Sequence, residues 1–320
     1  MISVKKLLPI IGFCILLYLL STIDIHVMGS MFMRVSFIYT LLACFSIIPI
    51  LLLSNIQWQM LLRQQKIPIR FWASLKNIFL GYFYGFITPG GLGAYIRSLH
   101  LSAESQQPLP KCVANIITFN TIDYITLLFF GAIGAVLLSN DFPYLFIPIL
   151  ILFVVIIALF VFFLTQKKSK ILFSKIIRSQ IFTTLQHHLD DPLDSFYDDL
   201  PSIRQVVPIF FVSGFGWLIR FYLLYSIAGL FSLHLPLLYG ILMIAVADVV
   251  ASLPISIYGL GTREATLVAL FGMYQISRDE VLGLSLFWFA IVWLLPSIIG
   301  SGVAFIEQKK IDTKKILRST

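Results

Sequence analysis

Two arginines sit where proline and glycine interrupt apolar stretches. Arg97 ends FITPGGLGAYIR (86–97), and Arg263 lies inside SLPISIYGLGTREATLVALF (252–271). A guanidinium presents a planar fork of donors that matches a phosphate or carboxylate through paired hydrogen bonds. A helix N-terminus adds free amides and partial positive charge, so an arginine where a helix restarts suits an anion. At the second break Pro254, Gly259 and Gly261 disrupt helical geometry and Ser256 lies between them. Arg263 and Glu264 then open the next apolar arm, 265–271. The bland alternative is local pairing of Arg263 with Glu264, or snorkelling to the interface. At the first break Thr88, Pro89, Gly90, Gly91 and Gly93 permit close backbone approach, with Arg97 just beyond. Its bland alternative is an arginine anchoring a helix end at the cytoplasmic surface.

Three further ionisable residues fall inside apolar runs: Asp123, Arg220 and Asp248. Central placement costs about 2.5–3.5 kcal/mol on insertion scales, so such residues usually face a bundle interior. Asn120 and Asp123 share a helix face at i, i+3 spacing. The expectation is that Arg220 pairs with Asp123 or Asp248, so that Asn120, Asp123, Arg220 and Asp248 build a polar path between the broken elements. A structural ion pair is the competing reading. The run DDPLDSFYDD (190–199) places Asp190, Asp191 and Asp194 as aspartates hold Mg²⁺ against diphosphate in isoprenoid enzymes. Those enzymes need a second acidic motif facing the first, and only Asn120 and Asp123 offer one, inside the membrane. A solvated acidic loop with a helix cap is the simpler reading, so no metal site, cofactor or catalytic residue is assigned. No P-loop, HExxH or paired CxxC occurs, and His26, His100, His187, His188 and His234 are scattered. Cys14, Cys44 and Cys112 read as small buried hydrophobes.

The elements that must position these groups follow from composition. Of 320 residues, 59% are hydrophobic and 12% charged, with mean hydropathy +0.94. Ordinary soluble domains are about 45–50% apolar and about 25% charged. The chain therefore reads as an all-α, polytopic membrane bundle, a single domain over residues 1–320. Apolar runs fall at 7–23, 35–53, 77–96, 113–138, 144–164, 206–230, 237–271 and 281–306. Most are about 18–26 residues, enough to cross roughly 30 Å of hydrocarbon. The first follows Lys5 and Lys6 without a convincing cleavage site and is expected to be a retained helix. The run 237–271 is too long for one helix and must form two arms around its break.

Most of the net charge of +8 is topological. Segments 54–76, 165–204 and 307–320 are rich in lysine and arginine, whereas 139–143 and 231–236 contain none. Placing the basic segments and both termini in the cytoplasm requires 77–96 to enter and leave on that side. The second broken element must then start and finish on the outer side. The two would face opposite leaflets, as in an inverted repeat, among seven to nine membrane segments. Lipid cannot satisfy a freed backbone group, so broken helices persist at depth only against protein or a polar cavity. Such breaks mark substrate sites in transporters. Segment 54–76, with Trp58, Leu61, Leu62, Phe71 and Trp72, reads as an interfacial cytoplasmic helix. Segment 165–204 carries an amphipathic stretch at 170–189.

LPIS (253–256), GLG (259–261) and REA (263–265) resemble the landmark of the flippase-like family typified by the transmembrane part of lysylphosphatidylglycerol synthase. The preceding YDDLPSIRQVVPIFFVSGFGWLIRFYLLYSIAGL (197–230) is similar to the family's helix before that motif. Pro89, Gly90, Gly93 and Arg97 match the family's Pro-Gly-x-x-Gly-Glu motif ending in arginine. Gly91 stands where arginine is frequent and Ala94 where glutamate is frequent. The resemblance implies a stand-alone member without the soluble synthase domain. It also implies transfer of a phospholipid or polar isoprenoid lipid between leaflets of a bacterial or archaeal plasma membrane. A separate soluble glycosyl- or aminoacyl-transferase would be the partner; no nucleic acid is expected. The lipid-binding set would be Pro89, Gly90, Gly93, Arg97, Pro254, Ser256, Gly259, Gly261, Arg263 and Glu264. The alternatives are a membrane-embedded prenyl- or head-group transferase, or an accessory subunit.

Overall fold

The computed structural model describes residues 37–140, 142–165, 190–231, 233–253 and 259–306, and every regular element among them is helical. Among the described residues, five helices are long and apolar enough to cross a membrane: Phe37–Gln64, Leu109–Leu137, Phe146–Leu164, Ile203–Gly229 and Arg278–Ile306. Leu237–Ser252 is a shorter apolar helix. Each follows from an uninterrupted apolar run, and together they establish an all-α polytopic membrane protein. The expected first helix at 7–23, the amphipathic stretch 170–189 and the tail 307–320 lie outside the described residues.

The helices are labelled α1 (Phe37–Phe45), α2 (Ile47–Gln64), α3 (Phe71–Ile87), α4 (Arg97–Ser105), α5 (Leu109–Leu137) and α6 (Pro143–Leu164). They continue as α7 (Asp190–Tyr197), α8 (Ile203–Leu230), α9 (Leu237–Ser252), α10 (Thr262–Phe271) and α11 (Arg278–Phe289). The described chain forms two compact units. One contains the described residues up to Leu51, then Leu75–Arg97 and everything described from Phe221 onward. The other contains 52–74 and 98–220.

In the first unit the final helix is a spine. Ser285 on α11 touches the second break, as detailed below. Beyond it, Phe289 packs on Phe86 and Trp293 on Tyr82, with ring centroids 6.2 and 5.6 Å apart. Ser297 Oγ donates to the Tyr82 carbonyl at 3.2 Å, and Gly300 lies against the Phe79 backbone. Residue numbers rise along one helix as they fall along the other, so α3 and the spine run antiparallel. Between these contacts the spine loosens into a π turn, Ala290–Leu294, a local defect often found near functional sites. Both broken elements thus reach the same helix within one unit.

In the second unit α5 is the centre, and α6 is its lipid-facing partner. Ile147, Ile151, Val154 and Leu159 of α6 are exposed and apolar, as a helix against hydrocarbon should be. Segment 54–76, expected as an interfacial cytoplasmic helix, packs part of its length against the protein. Its first half continues α2, and Trp58, Leu61 and Leu62 are fully buried. The indole that read as an interfacial anchor has a polar partner inside the protein: Trp58 Nε1 donates to Asn115 Oδ1 at 2.7 Å. Asn115 Nδ2 in turn donates to Gln65 Oε1 at 2.6 Å. Trp72, like Ile56, keeps an exposed face.

Candidate functional site

The second break is a helical hairpin. Leu237–Ser252 descends, and Thr262–Phe271 returns beside it, bringing Arg263 Nε to 4.0 Å from Asp248 Oδ1. Gly259 and Gly261 have φ of +76° and +87°, the left-handed region that glycine enters without a Cβ penalty. At Gly259 a Cβ would also stand 2.5 Å from that of Ala251. Pro254 and Ser256 lie outside the described residues.

The backbone groups freed here are taken up locally. Gly261 N–H donates to Glu264 Oε2 at 2.6 Å, and the Gly259 carbonyl accepts from Arg263 N–H at 2.9 Å and Thr262 Oγ1 at 3.1 Å. Glu264 therefore caps its own helix, occupying the amide that an incoming anion would otherwise use. Ser285 of α11 joins the charges. Its hydroxyl donates to Glu264 Oε1 at 2.6 Å and accepts from Arg263 Nε at 3.3 Å, while Arg263 Nη2 donates to the Ser285 carbonyl at 3.3 Å. Arg263 is 4% exposed and Glu264 1%. Among the described residues the Nη1 end of the guanidinium donates no hydrogen bond. Neither bland reading of Arg263 describes this geometry: the side chain does not snorkel, and it meets Glu264 only through Ser285.

The first break is a tighter reversal. Helix α3 ends at Ile87, and a 3₁₀ segment over Pro89–Ile96, holding Pro89 and Gly90 in its first turn, folds back along it. Gly93 lies so close to the Tyr84 carbonyl that a Cβ would overlap it. Thr88 closes the gap, its hydroxyl donating to the Tyr84 carbonyl at 2.8 Å and accepting from Gly93 N–H at 2.6 Å. Four residues on, the Arg97 stem lies over Gly81, where a Cβ would stand 3.2 Å from Arg97 Cδ. Arg97 is 7% exposed, so it is not a surface anchor.

The remaining polar residues separate. Asp123 takes its hydrogen bond from Ser213 Oγ at 2.9 Å. Arg220 lies over the Trp217 ring, 4.7 Å from its centroid, and its Nε is buried without a hydrogen-bond partner. Among the described residues Arg220 forms no ion pair with Asp123, and Asp248 instead faces Arg263. Asn120 is half-buried on α5. Ser285, Ser213 and Thr88 were not singled out for these roles. Thr88 alone carried a local signal, a hydroxyl placed just before Pro-Gly-Gly; the two serines meet their partners only through tertiary packing.

Outside the spans, part of the acidic run is used structurally. Asp199 bridges Lys66 Nζ at 2.6 Å and Lys111 Nζ at 2.9 Å, and Asp198 stands 3.6 Å from Lys111. The Lys66 hydrogen bond, then that from Lys111, holds the Asp199 carboxyl below its ordinary range. Reciprocally, Asp199 pushes Lys66 up. Asp194 is exposed, and the side chains of Asp190 and Asp191 lie outside the described residues.

The sequence profile of the family described as the lysylphosphatidylglycerol synthase TM region matches residues 7–300. The chain is also similar to the UPF0104 membrane protein MJ1595 of Methanocaldococcus jannaschii, at 23% identity over 98% of each chain. Both breaks, the Arg263 network and Asp123 fall inside the matched region. The chain belongs to the lysylphosphatidylglycerol synthase transmembrane family.

Proposed function

We propose that this protein carries a phospholipid or polar isoprenoid lipid between membrane leaflets, with Arg263 engaging the anionic head group. The observation that supports this most is the state of that arginine. It is buried at a glycine turn in a broken apolar hairpin, and among the described residues its Nη1 end donates no hydrogen bond. Burying a guanidinium is costly, and one left with donors to spare fits a site that receives an anion. Glu264 is spent on the Gly261 amide and the Ser285 hydroxyl, and Asp248, 4.0 Å from Arg263 Nε, is the counter-charge that the lipid phosphate would displace. Arg97, on the other hairpin, is the second candidate contact, with Pro89, Gly90, Gly93, Pro254, Ser256, Gly259 and Gly261 shaping the backbone around the two. The charge pattern supports a plasma-membrane location with both termini cytoplasmic. A soluble glycosyl- or aminoacyl-transferase would supply or consume the lipid.

The test is leaflet exchange of labelled phospholipid or polyprenyl phosphate in vesicles holding the purified protein. Exchange should be lost in Arg263→Ala, partly restored in Arg263→Lys, and retained in the double variant Asp190→Ala/Asp191→Ala. Folded wild-type protein that moves neither lipid, or loss confined to the aspartate variant, rejects the reading. Native mass spectrometry of the co-purified lipid identifies the passenger.

A further inference from the structure

Asp123 is the central residue of α5, fourteen positions from Leu109 and fourteen from Leu137. At about 1.5 Å per residue this leaves roughly 21 Å of helix on either side. A helix of that length centred on the bilayer puts the carboxyl near the midplane. Among the described residues its hydrogen-bond partner is a neutral hydroxyl, Ser213 Oγ, at 2.9 Å, and Ser213 is itself 2% exposed. Asp123 is half-buried, and the next contacts along the two helices are apolar: Phe129 meets Phe210 at 5.9 Å, and Gly214 faces the Thr126 methyl and the Phe130 ring. The Thr126 hydroxyl is already committed to the Ile122 carbonyl.

A carboxylate in this position needs a positive charge. The described side chains that titrate or carry charge on the elements packed here are Arg204, Arg220, Tyr222 and Tyr225 on α8, Lys111, Cys112 and Tyr124 on α5, Tyr144 on α6, and Asp194 and Tyr197 on α7. None hydrogen-bonds or pairs with Asp123 among the described residues. Lys111 is engaged with Asp198 and Asp199 instead. Arg220 is seven residues, about 10.5 Å, along the helix from Ser213. Hydroxyl donation lowers the cost of the charge but cannot cancel it.

We propose that Asp123 and Ser213 form the site of a monovalent coupling cation, a proton or Na⁺, that drives or gates lipid movement. One carboxylate balances one positive charge, and among the described residues no group of three or more histidine, cysteine or acidic side chains gathers to hold a more highly charged ion. Ionisable residues near the midplane are where transporters place proton relays and coupling ions. The coupling role rests on the lipid-carrier reading above; the cation site itself does not.

Two measurements separate the parts. Infrared difference spectra of the protein in nanodiscs, between acid and alkaline buffer and between sodium and potassium, should show a carboxyl band that disappears in Asp123→Asn. Ser213→Ala, which keeps the carboxyl and removes its partner, should shift the pH or sodium concentration at which the band changes. In vesicles, lipid exchange by wild-type protein should accelerate under an imposed pH gradient or an imposed sodium gradient, and that acceleration should vanish in Asp123→Asn. A response to the pH gradient identifies the proton; a response to sodium but not potassium identifies Na⁺. Spectral and gradient responses that persist unchanged in Asp123→Asn overturn the proposal, as does lipid exchange by wild type that ignores both gradients. A cation-dependent band without any lipid exchange rejects the carrier reading and leaves the cation site standing.

Discussion

At the first break one neutral side chain closes the gap: Thr88 gives its proton to Tyr84 and takes one from Gly93. At the second the same task falls to Thr262 and Glu264, and Ser285 ties Glu264 to Arg263, which faces Asp248. Both hairpins solve the problem of unpaired backbone inside a lipid-facing protein. Only the second does so with ionised groups, which are a more expensive solution than a threonine. A neutral cap suffices for stability, so the extra charge at the second break calls for a reason beyond it. Head-group recognition is that reason in the reading offered here, with Arg97 of the first hairpin as a second contact beside a neutral cap.

Substitutions can break this contrast. The largest expected effect is at the neutral break: Gly93→Ala drives a methyl into the Tyr84 carbonyl, which cannot retreat without unwinding α3. A loss of about 3 kcal/mol, the upper end for overpacking, should appear as a collapse in the yield of folded, monodisperse protein. Next comes Glu264→Gln. It preserves shape but removes a buried negative charge that accepts two short hydrogen bonds, at a cost of roughly 2–3 kcal/mol in thermal or denaturant unfolding. Ser285→Ala and Thr88→Val form the sharpest pair, since each deletes one hydroxyl that both donates and accepts. Both should cost about 1–2 kcal/mol. For Thr88→Val, lipid exchange per vesicle should fall only as folded protein falls. For Ser285→Ala it should fall further, because Arg263 loses the group that orients it. Equal exchange per folded molecule in the two variants would erase the distinction between the breaks.

The breaks themselves were legible because proline and glycine are local signals, and a helix cannot ignore them. The long spans were legible for a similar reason, since an apolar run of sufficient length has one stable form in lipid. Arg263, Glu264 and Asp248 could be singled out as costly residues, but not joined. Their common partner Ser285 sits in the apolar run VLGLSLFW, where a serine is unremarkable until α11 folds against α10. The expected Arg220 ion pair failed on the same ground: which carboxylate lies opposite which arginine is decided by helix docking, not spacing. Trp58 could be singled out as an indole flanked by basic residues, but its internal partner could not be read from spacing. Its burial depends on Asn115, fifty-seven positions away, offering the acceptor.

The smallest effect comes from a network outside the spans, and it serves as the reference for those within. Asp199, held below the ordinary carboxyl value of about 3.9, contributes stability that is fully present above that value and lost as pH falls through its lower folded value. Lys66, raised above about 10.4, contributes stability fully present below that value and lost as pH rises through its higher folded value. The clamp is therefore whole across neutral pH. Asp199→Asn should cost about 1 kcal/mol or less there, since Asp199 is partly exposed and Asp198 remains 3.6 Å from Lys111. Melting curves of wild type and Asp199→Asn should converge on acidification, and Lys66→Ala should lower the neutral melting temperature less than Asp199→Asn does, since Lys66 is exposed and Lys111 still holds the carboxyl. Exchange by Asp199→Asn should match wild type per folded molecule at neutral pH. A loss of exchange as deep as that of Ser285→Ala would mean that charge anywhere in the protein disturbs lipid movement, and the second break would forfeit its claim to be special.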